Sequence, residues 1–186
     1  SIRLRGMKAF YKLNGNLFIR SLCFMVIYSG FTALAARYGD VQLAVSSIMM
    51  KLLMMFSYFI DGFAYAGEAL VGRYIGSKDN ENLKRVIKLL LLWGFSISIP
   101  FSILYGLFPS TFVRIISNNP DILSQIKPYY IYMTIIPVIT FAAFIWDGIY
   151  IGATASKAIR NTMIISSLFI FIPIWYFLTP SLGNHG

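Results

Sequence analysis

The chain has 186 residues, 58% of them hydrophobic and only 12% charged, with a mean hydropathy of +0.70 and a formal net charge of +9. Soluble domains carry about 25% charged residues, so this composition argues against an ordinary soluble domain and for a polytopic membrane protein. The single cysteine, Cys23, and the single histidine, His185, exclude a disulfide framework and leave little from which to build a metal centre or a His-dependent nucleophile.

In chain order, the first stretch is basic and polar, with Arg3, Arg5, Lys8 and Lys12. It reads as a cytoplasmic segment over residues 1–15, with no small-residue cleavage site of a signal peptide. Five apolar runs follow, at about 16–36, 42–71, 86–108, 129–152 and 161–179, each able to cross about 30 Å of hydrocarbon as a helix. They do not alternate as barrel strands would. The expected fold class is all-α, a polytopic membrane helix bundle occupying residues 16–180, with 181–186 as an external tail.

The links are chemically ordinary. Gly76-Ser77-Lys78-Asp79-Asn80 ends the second run and can cap the third helix. Asn119-Pro120-Asp121 offers an N-cap, a proline at the first helical position and an acid in the first turn, so it predicts a short helix ending near Lys127-Pro128. Pro100, Pro137 and Pro173 fall inside runs, where a proline frees a carbonyl and can kink a helix.

Basic residues are distributed unevenly among the links. The first segment, the link with Arg73, Lys78, Lys84, Arg85 and Lys88, and the link with Lys157 and Arg160 are rich in them. The opposite side has only Arg37, Arg114 and Lys127. The positive-inside rule therefore expects the N-terminus and both basic links in the cytoplasm, and residues near Asn119 outside. The net positive charge is thus explained by topology, and no nucleic-acid partner is expected.

The run at 42–71 poses the functional question, because it carries Lys51, Asp61 and Glu68. A carboxylate at the bilayer centre costs about 2.5–3.5 kcal/mol on insertion scales. Side chains lean toward the helix N-terminus, so Lys51 can snorkel outward or enter an ion pair. Asp61 lies about 15 Å further along the helix, near midplane, and Glu68 two turns beyond on the same face. Asp147 lies in the fourth run. None of these three acids snorkels easily. Each requires a buried hydrogen-bond partner, a wet cavity or a raised pKa. Tyr65 lies between the two acids. Small residues flank them: Gly62, Ala64, Gly67 and Gly72 on one helix, Gly148, Gly152 and Ala153 on the other. They read first as packing surfaces. Asp61-Gly62 is loosely echoed by Asp147-Gly148.

The segment Asp61-Gly62-Phe63-Ala64-Tyr65-Ala66-Gly67-Glu68-Ala69-Leu70-Val71-Gly72 resembles a signature of the multidrug and toxic compound extrusion (MATE) family, DinF-like branch. Trp146-Asp147-Gly148-Ile149-Tyr150-Ile151-Gly152-Ala153-Thr154, followed by Arg160-Asn161, resembles a second signature of that family. The likeness covers essentially the whole chain. It implies a secondary active transporter of twelve helices in two six-helix lobes, exporting organic, often cationic compounds against protons or sodium ions. The chain would then supply helices seven to eleven. The first lobe, acting as an N-terminal partner on the same polypeptide, and the last helix would lie outside this sequence.

The family's sodium-coupled branch has an acid on its seventh helix, and the first run here has none. The best-known proton-carrying Asp of the DinF-like branch is on the first helix of the family. Asp61, Glu68, Asp147, Tyr65 and Lys51 are therefore candidates for cavity lining or ion coupling, not residues carried over from the family. No cofactor is expected beyond the coupling ion. The expected partners are membrane lipid and a small-molecule substrate. Two other classes remain open at this stage. One is a lipid-linked-sugar flippase of related two-lobe fold, whose cavity would favour cations. The other is a membrane-embedded enzyme, for which Asp61 and Glu68 stand rather far apart, at about 10 Å.

Overall fold

The structure, a computed structural model, describes residues 2–173, and every element among them is helical. In chain order these are α1 (Ile2–Arg37), α2 (Asp40–Gly76), α3 (Asn80–Leu107), α4 (Pro109–Ile116), α5 (Pro120–Gln125), α6 (Tyr130–Gly152) and α7 (Ser156–Ile165). A 3₁₀ turn at Lys127–Tyr129 leads into α6, and α7 continues through a π-helical turn at Ser166–Phe171. Four helices among the described residues are long and apolar enough to cross a membrane: Phe10–Arg37, Asp40–Gly76, Asn80–Leu107 and Lys127–Gly152. The chain forms an all-α, polytopic membrane helix bundle. The fifth expected span begins on α7; its last part, 174–179, and the tail at 181–186 lie outside the described residues.

Two local features differ from the sequence expectation. The basic N-terminal stretch is not a separate link but the first turns of α1. Its two glycines, Gly6 and Gly15, cost about 1 kcal/mol each in a helix, which continuity with the span can absorb. The link after α3 contains a further helix, α4. Pro109 occupies its first turn, and Val113 is fully buried beneath it.

The chain divides into two compact units, one of residues 39–153 and one built from α1 and α7. In the first unit, α2, α3 and α6 form a three-helix bundle. On α2 the buried residues Val45, Ile48, Leu52, Phe56, Ile60, Ala64, Gly67 and Val71 recur every three or four positions and form one stripe. One core cluster joins Val45, Ile48 and Leu52 to Tyr105, Val113, Ile126, Tyr129 and Met133, so α4 and α5 close one end of the bundle. A second joins Phe56, Ile60 and Val71 to Leu90, Ile145 and Ile149. Phe101 sets its ring edge-on to Phe56 at 5.4 Å and to Tyr105 at 5.9 Å, linking the two clusters.

Polar groups inside this bundle are matched across helices, as hydrocarbon requires. Tyr105 Oη donates to the Leu52 carbonyl at 3.0 Å, and Ser102 Oγ donates to the Thr134 carbonyl at 2.5 Å. Among the described residues no buried side-chain nitrogen or oxygen lacks a partner. The helices continue through Pro100 and Pro137.

The turn between α2 and α3 shows how local sequence ends one span and starts the next. Asp79 N–H bonds to the Tyr74 carbonyl at 2.9 Å and Lys78 N–H to the Ile75 carbonyl at 3.1 Å. This is a Schellman closure with Lys78, at φ 56°, in the left-handed position that glycine usually fills. Asp79 then caps α3 by accepting from Asn82 N–H at 3.1 Å. The Asn82 side-chain amide, at 2.7 Å, is the main cause holding the Asp79 carboxyl below its ordinary pKa. Asn119 caps α5 in the same manner, accepting from Asp121 N–H at 2.9 Å.

In the second unit α1 and α7 run parallel. Asn16 meets Ser156 and Arg160, and a Cβ added at Gly30 would lie 3.2 Å from the Phe171 ring.

Candidate functional site

The acids of α2 sit beside its buried stripe. Asp61 and Glu68 each follow a buried residue, Ile60 and Gly67, and are therefore rotated about 100° from it around the axis. Asp61, Tyr65 and Glu68 are spaced i, i+4, i+7 and share one flank of the helix. On that flank the two acids are half-buried, while Tyr65 is 69% exposed. A polar flank beside an apolar stripe is the arrangement that packs a helix with one face and lines a passage with the next.

Depth along the helix separates the candidates. The midpoint of α2 is Tyr58. From there Asp61 lies about 5 Å along the axis and Glu68 about 15 Å, against a hydrocarbon half-thickness of about 15 Å. Asp61 is thus the carboxylate placed deepest on α2, and Glu68 stands near the boundary. Lys51 is exposed about 10 Å on the other side of the midpoint. The structure does not bring it to Asp61, which lies some 15 Å down the same continuous helix, beyond the reach of a lysine side chain.

The glycines bring the two acid-bearing segments together. A Cβ at Gly148 would lie 2.9 Å from the Ala64 Cα, and one at Gly152 would lie 2.9 Å from the Glu68 Cα, closer than side chains ever approach. A Cβ at Gly72 would meet the Gly152 carbonyl at 3.3 Å. The offset between partners is constant (64 with 148, 68 with 152), so α2 and α6 run parallel with backbones in direct contact. This is the small-residue packing used where helices must meet without a hydrophobic driving force. Asp147 precedes Gly148 and is half-buried at the same contact, held by interactions of its own. Asp61, Tyr65, Glu68 and Asp147 therefore belong to one region of one bundle. Gly62 differs from Gly148, although both follow an aspartate: a Cβ at Gly62 would meet nothing within 4 Å.

Among the described residues no group of three His, Cys, Asp or Glu side chains is placed to hold a metal ion. The arrangement offers single protonatable carboxyls on a membrane helix, suited to taking up a proton or pairing with a cation. Sequence reasoning missed a second polar cluster, in which Asn16, Ser156, Arg160 and Asn161 form one hydrogen-bonded group. Its members lie about 140 positions apart. The signal available was Arg160-Asn161, six residues beyond the end of the second signature segment.

Comparison with known proteins agrees with this architecture. The MatE family model matches residues 17–177. The chain is 31% identical over 173 residues to DNA damage-inducible protein F of Escherichia coli, covering 93% of this chain and 37% of that protein. It is 28% identical over 143 residues to Protein DETOXIFICATION 45, chloroplastic, of Arabidopsis thaliana, covering 77% and 26% respectively. With Protein DETOXIFICATION 42 of the same plant the identity is 23% over 159 residues, covering 79% and 31%. The chain thus spans roughly a third of the length of the curated relatives it matches. No solved structure matches it. A family match that takes in both acid-glycine segments and the spans around them establishes that this chain belongs to the MatE family, which is made up of membrane transporters.

Proposed function

We propose that this chain is the C-terminal-lobe part of a secondary active efflux transporter that exports organic, cationic or amphipathic compounds by antiport with protons or sodium ions. The observation that carries the reading is Asp61: a half-buried carboxylate about 5 Å from the midpoint of a membrane helix, on the flank beside its packing stripe. Coupling sites of secondary transporters lie near the bilayer midplane, where a carboxyl can take a proton from one side and release it to the other. It can also meet a cationic substrate in one of the two states. The names of the plant relatives refer to detoxification, which accords with export of foreign compounds. The rest of the transporter, an N-terminal lobe, would supply the opposite wall of the pathway.

The test is reconstitution of the full-length protein containing this chain into liposomes, with a proton or sodium gradient imposed and a fluorescent organic cation followed. Saturable, gradient-dependent movement above that of empty liposomes is expected. Movement equal to that of empty liposomes, across a panel of organic cations and both gradients, would overturn the reading.

In the proposed orientation the start of α1 and the links around Lys78 and Lys157 face the cytoplasm of a bacterial inner-membrane protein, while Asn119 faces outside. The support is the concentration of basic residues on one set of links. In a Cys23→Ala background, a cysteine at position 119 should react with an impermeant thiol reagent in intact cells, and cysteines at 78 and 157 only after permeabilisation. The reverse pattern would invert the topology.

A further inference from the structure

Residues 10–16 of α1 and the link into α7 line an open cavity of about 490 Å³ within the α1–α7 unit. Its chemistry is of two kinds. Phe10, Leu13 and Ala155 give it an apolar wall, and Lys12 and Lys157 add two positive charges. None of its lining residues is acidic.

The base of the cavity is fixed by hydrogen bonds. Asn16, buried, donates from Nδ2 to Ser156 Oγ at 3.0 Å and accepts at Oδ1 from Arg160 Nη1 at 2.8 Å. Arg160 also donates from Nη2 to Asn161 Oδ1 at 2.8 Å. These polar groups satisfy one another and hold the two helices in register. Lys12 and Lys157, which also line the cavity, are exposed. Thr154 lines the cavity at φ 54°, a left-handed conformation uncommon for a β-branched residue, and this turns the chain sharply into α7. The residue before α7, Ala155, has no side-chain oxygen to cap the helix, so the positive end of α7 adds to the charge of the lysines.

The depth of the cavity points to its occupant. The cavity is lined by Phe10, Lys12, Leu13 and Asn16, at the junction between the basic start of α1 and the apolar run that begins at about residue 16, so it lies where headgroups give way to hydrocarbon. A free inorganic anion would have no use for the apolar wall. A neutral apolar molecule would leave the charges of Lys12 and Lys157 without a counter-charge in the cavity lining. We propose that this cavity is a binding site for an anionic membrane phospholipid, with Lys12 and Lys157 on the headgroup phosphate and Phe10 and Leu13 against the adjoining glycerol and upper acyl chain. Basic pockets between membrane helices bind anionic lipid headgroups in this way. The proposal rests on the membrane placement of α1 and not on the efflux reading.

The test is native mass spectrometry of the full-length protein in detergent, with phosphatidylglycerol or phosphatidylcholine added. Binding is read without any transport, so its outcome is distinguishable from failure of the efflux reading. Phosphatidylglycerol should be retained in preference to phosphatidylcholine. The variant Lys12→Gln with Lys157→Gln should weaken its binding roughly thirtyfold, since each basic residue near the surface accounts for about a fivefold change. Lys84→Gln with Lys88→Gln, on α3, should leave binding unchanged. Leu13→Trp, which fills the cavity without altering charge, should also displace the lipid, and it supplies the answer if the double lysine variant fails to fold. Inorganic phosphate at millimolar concentration should not compete. Equal retention of the two lipids would overturn the proposal, as would unchanged binding in the folded lysine or Leu13 variants. Displacement by inorganic phosphate would mean a free-anion site and overturn the lipid assignment.

Discussion

Replacing Gly152 with leucine should collapse the contact between α2 and α6 and leave little protein that elutes as a single species in detergent. Even alanine should be costly there, because its Cβ would lie 2.9 Å from the Glu68 Cα and closer still to that residue's carbonyl. The obstruction is backbone, which cannot rotate away, so the helices must separate along their length. Overpacking costs about 1–3 kcal/mol even where side chains can adjust, a large part of any domain's stability. Gly148→Ala should behave similarly against Ala64. Gly62→Ala is the control: its Cβ would meet nothing within 4 Å, so the change should be neutral or stabilise α2 by up to about 1 kcal/mol through helix propensity. Thermal unfolding in detergent distinguishes the three. Equal tolerance of Gly62→Ala, Gly148→Ala and Gly152→Ala would show that α2 and α6 do not meet as described.

Asp61→Asn in the full-length protein should reduce gradient-driven export on the order of tenfold or more while expression and elution stay normal. Asparagine keeps the shape and hydrogen-bonding capacity of the side chain but can neither carry a proton nor offer a charge, and a lost contact of about 1.4 kcal/mol is already a factor of ten. Glu68→Gln should have the smaller effect, because Glu68 lies about 15 Å from the helix midpoint, near the hydrocarbon boundary. Normal export by a well-folded Asp61→Asn protein would reduce Asp61 to a structural residue. Loss of expression would assign it to packing.

The spans were legible because an apolar run of about 20 residues admits few other readings. The caps were legible too, since Asp79 and Asn119 act on backbone groups two or three residues away. What escaped the sequence depends on partners distant in the chain. Gly62 and Gly148 have the same kind of neighbour on each side, and only the arrival of Ala64 beneath Gly148 makes one indispensable and the other replaceable. Asn16 carries no local sign that it will meet Ser156 and Arg160. The extension of α1 back to Ile2 was hidden because basic residues read as a link, although nothing in that stretch forbids a helix. The flank formed by Asp61, Tyr65 and Glu68 was legible as spacing. Its place beside the buried stripe needed the packing of α2 against α3 and α6.

The central claim, that this flank of α2 lines an aqueous pathway, is tested most directly by cysteine accessibility. Single cysteines at positions 60, 61, 64, 65, 68 and 71, in a Cys23→Ala background of the full-length protein, are exposed to a small water-soluble thiol reagent in native membranes. Labelling at 61, 65 and 68 with none at 60, 64 and 71 is the predicted result, because the first set lies on the polar flank and the second is buried in the bundle. Uniform protection of 61, 65 and 68, with a reactive external cysteine at 119 as the positive control, would contradict the account: that face would then meet lipid or protein, and the carboxylates would be structural.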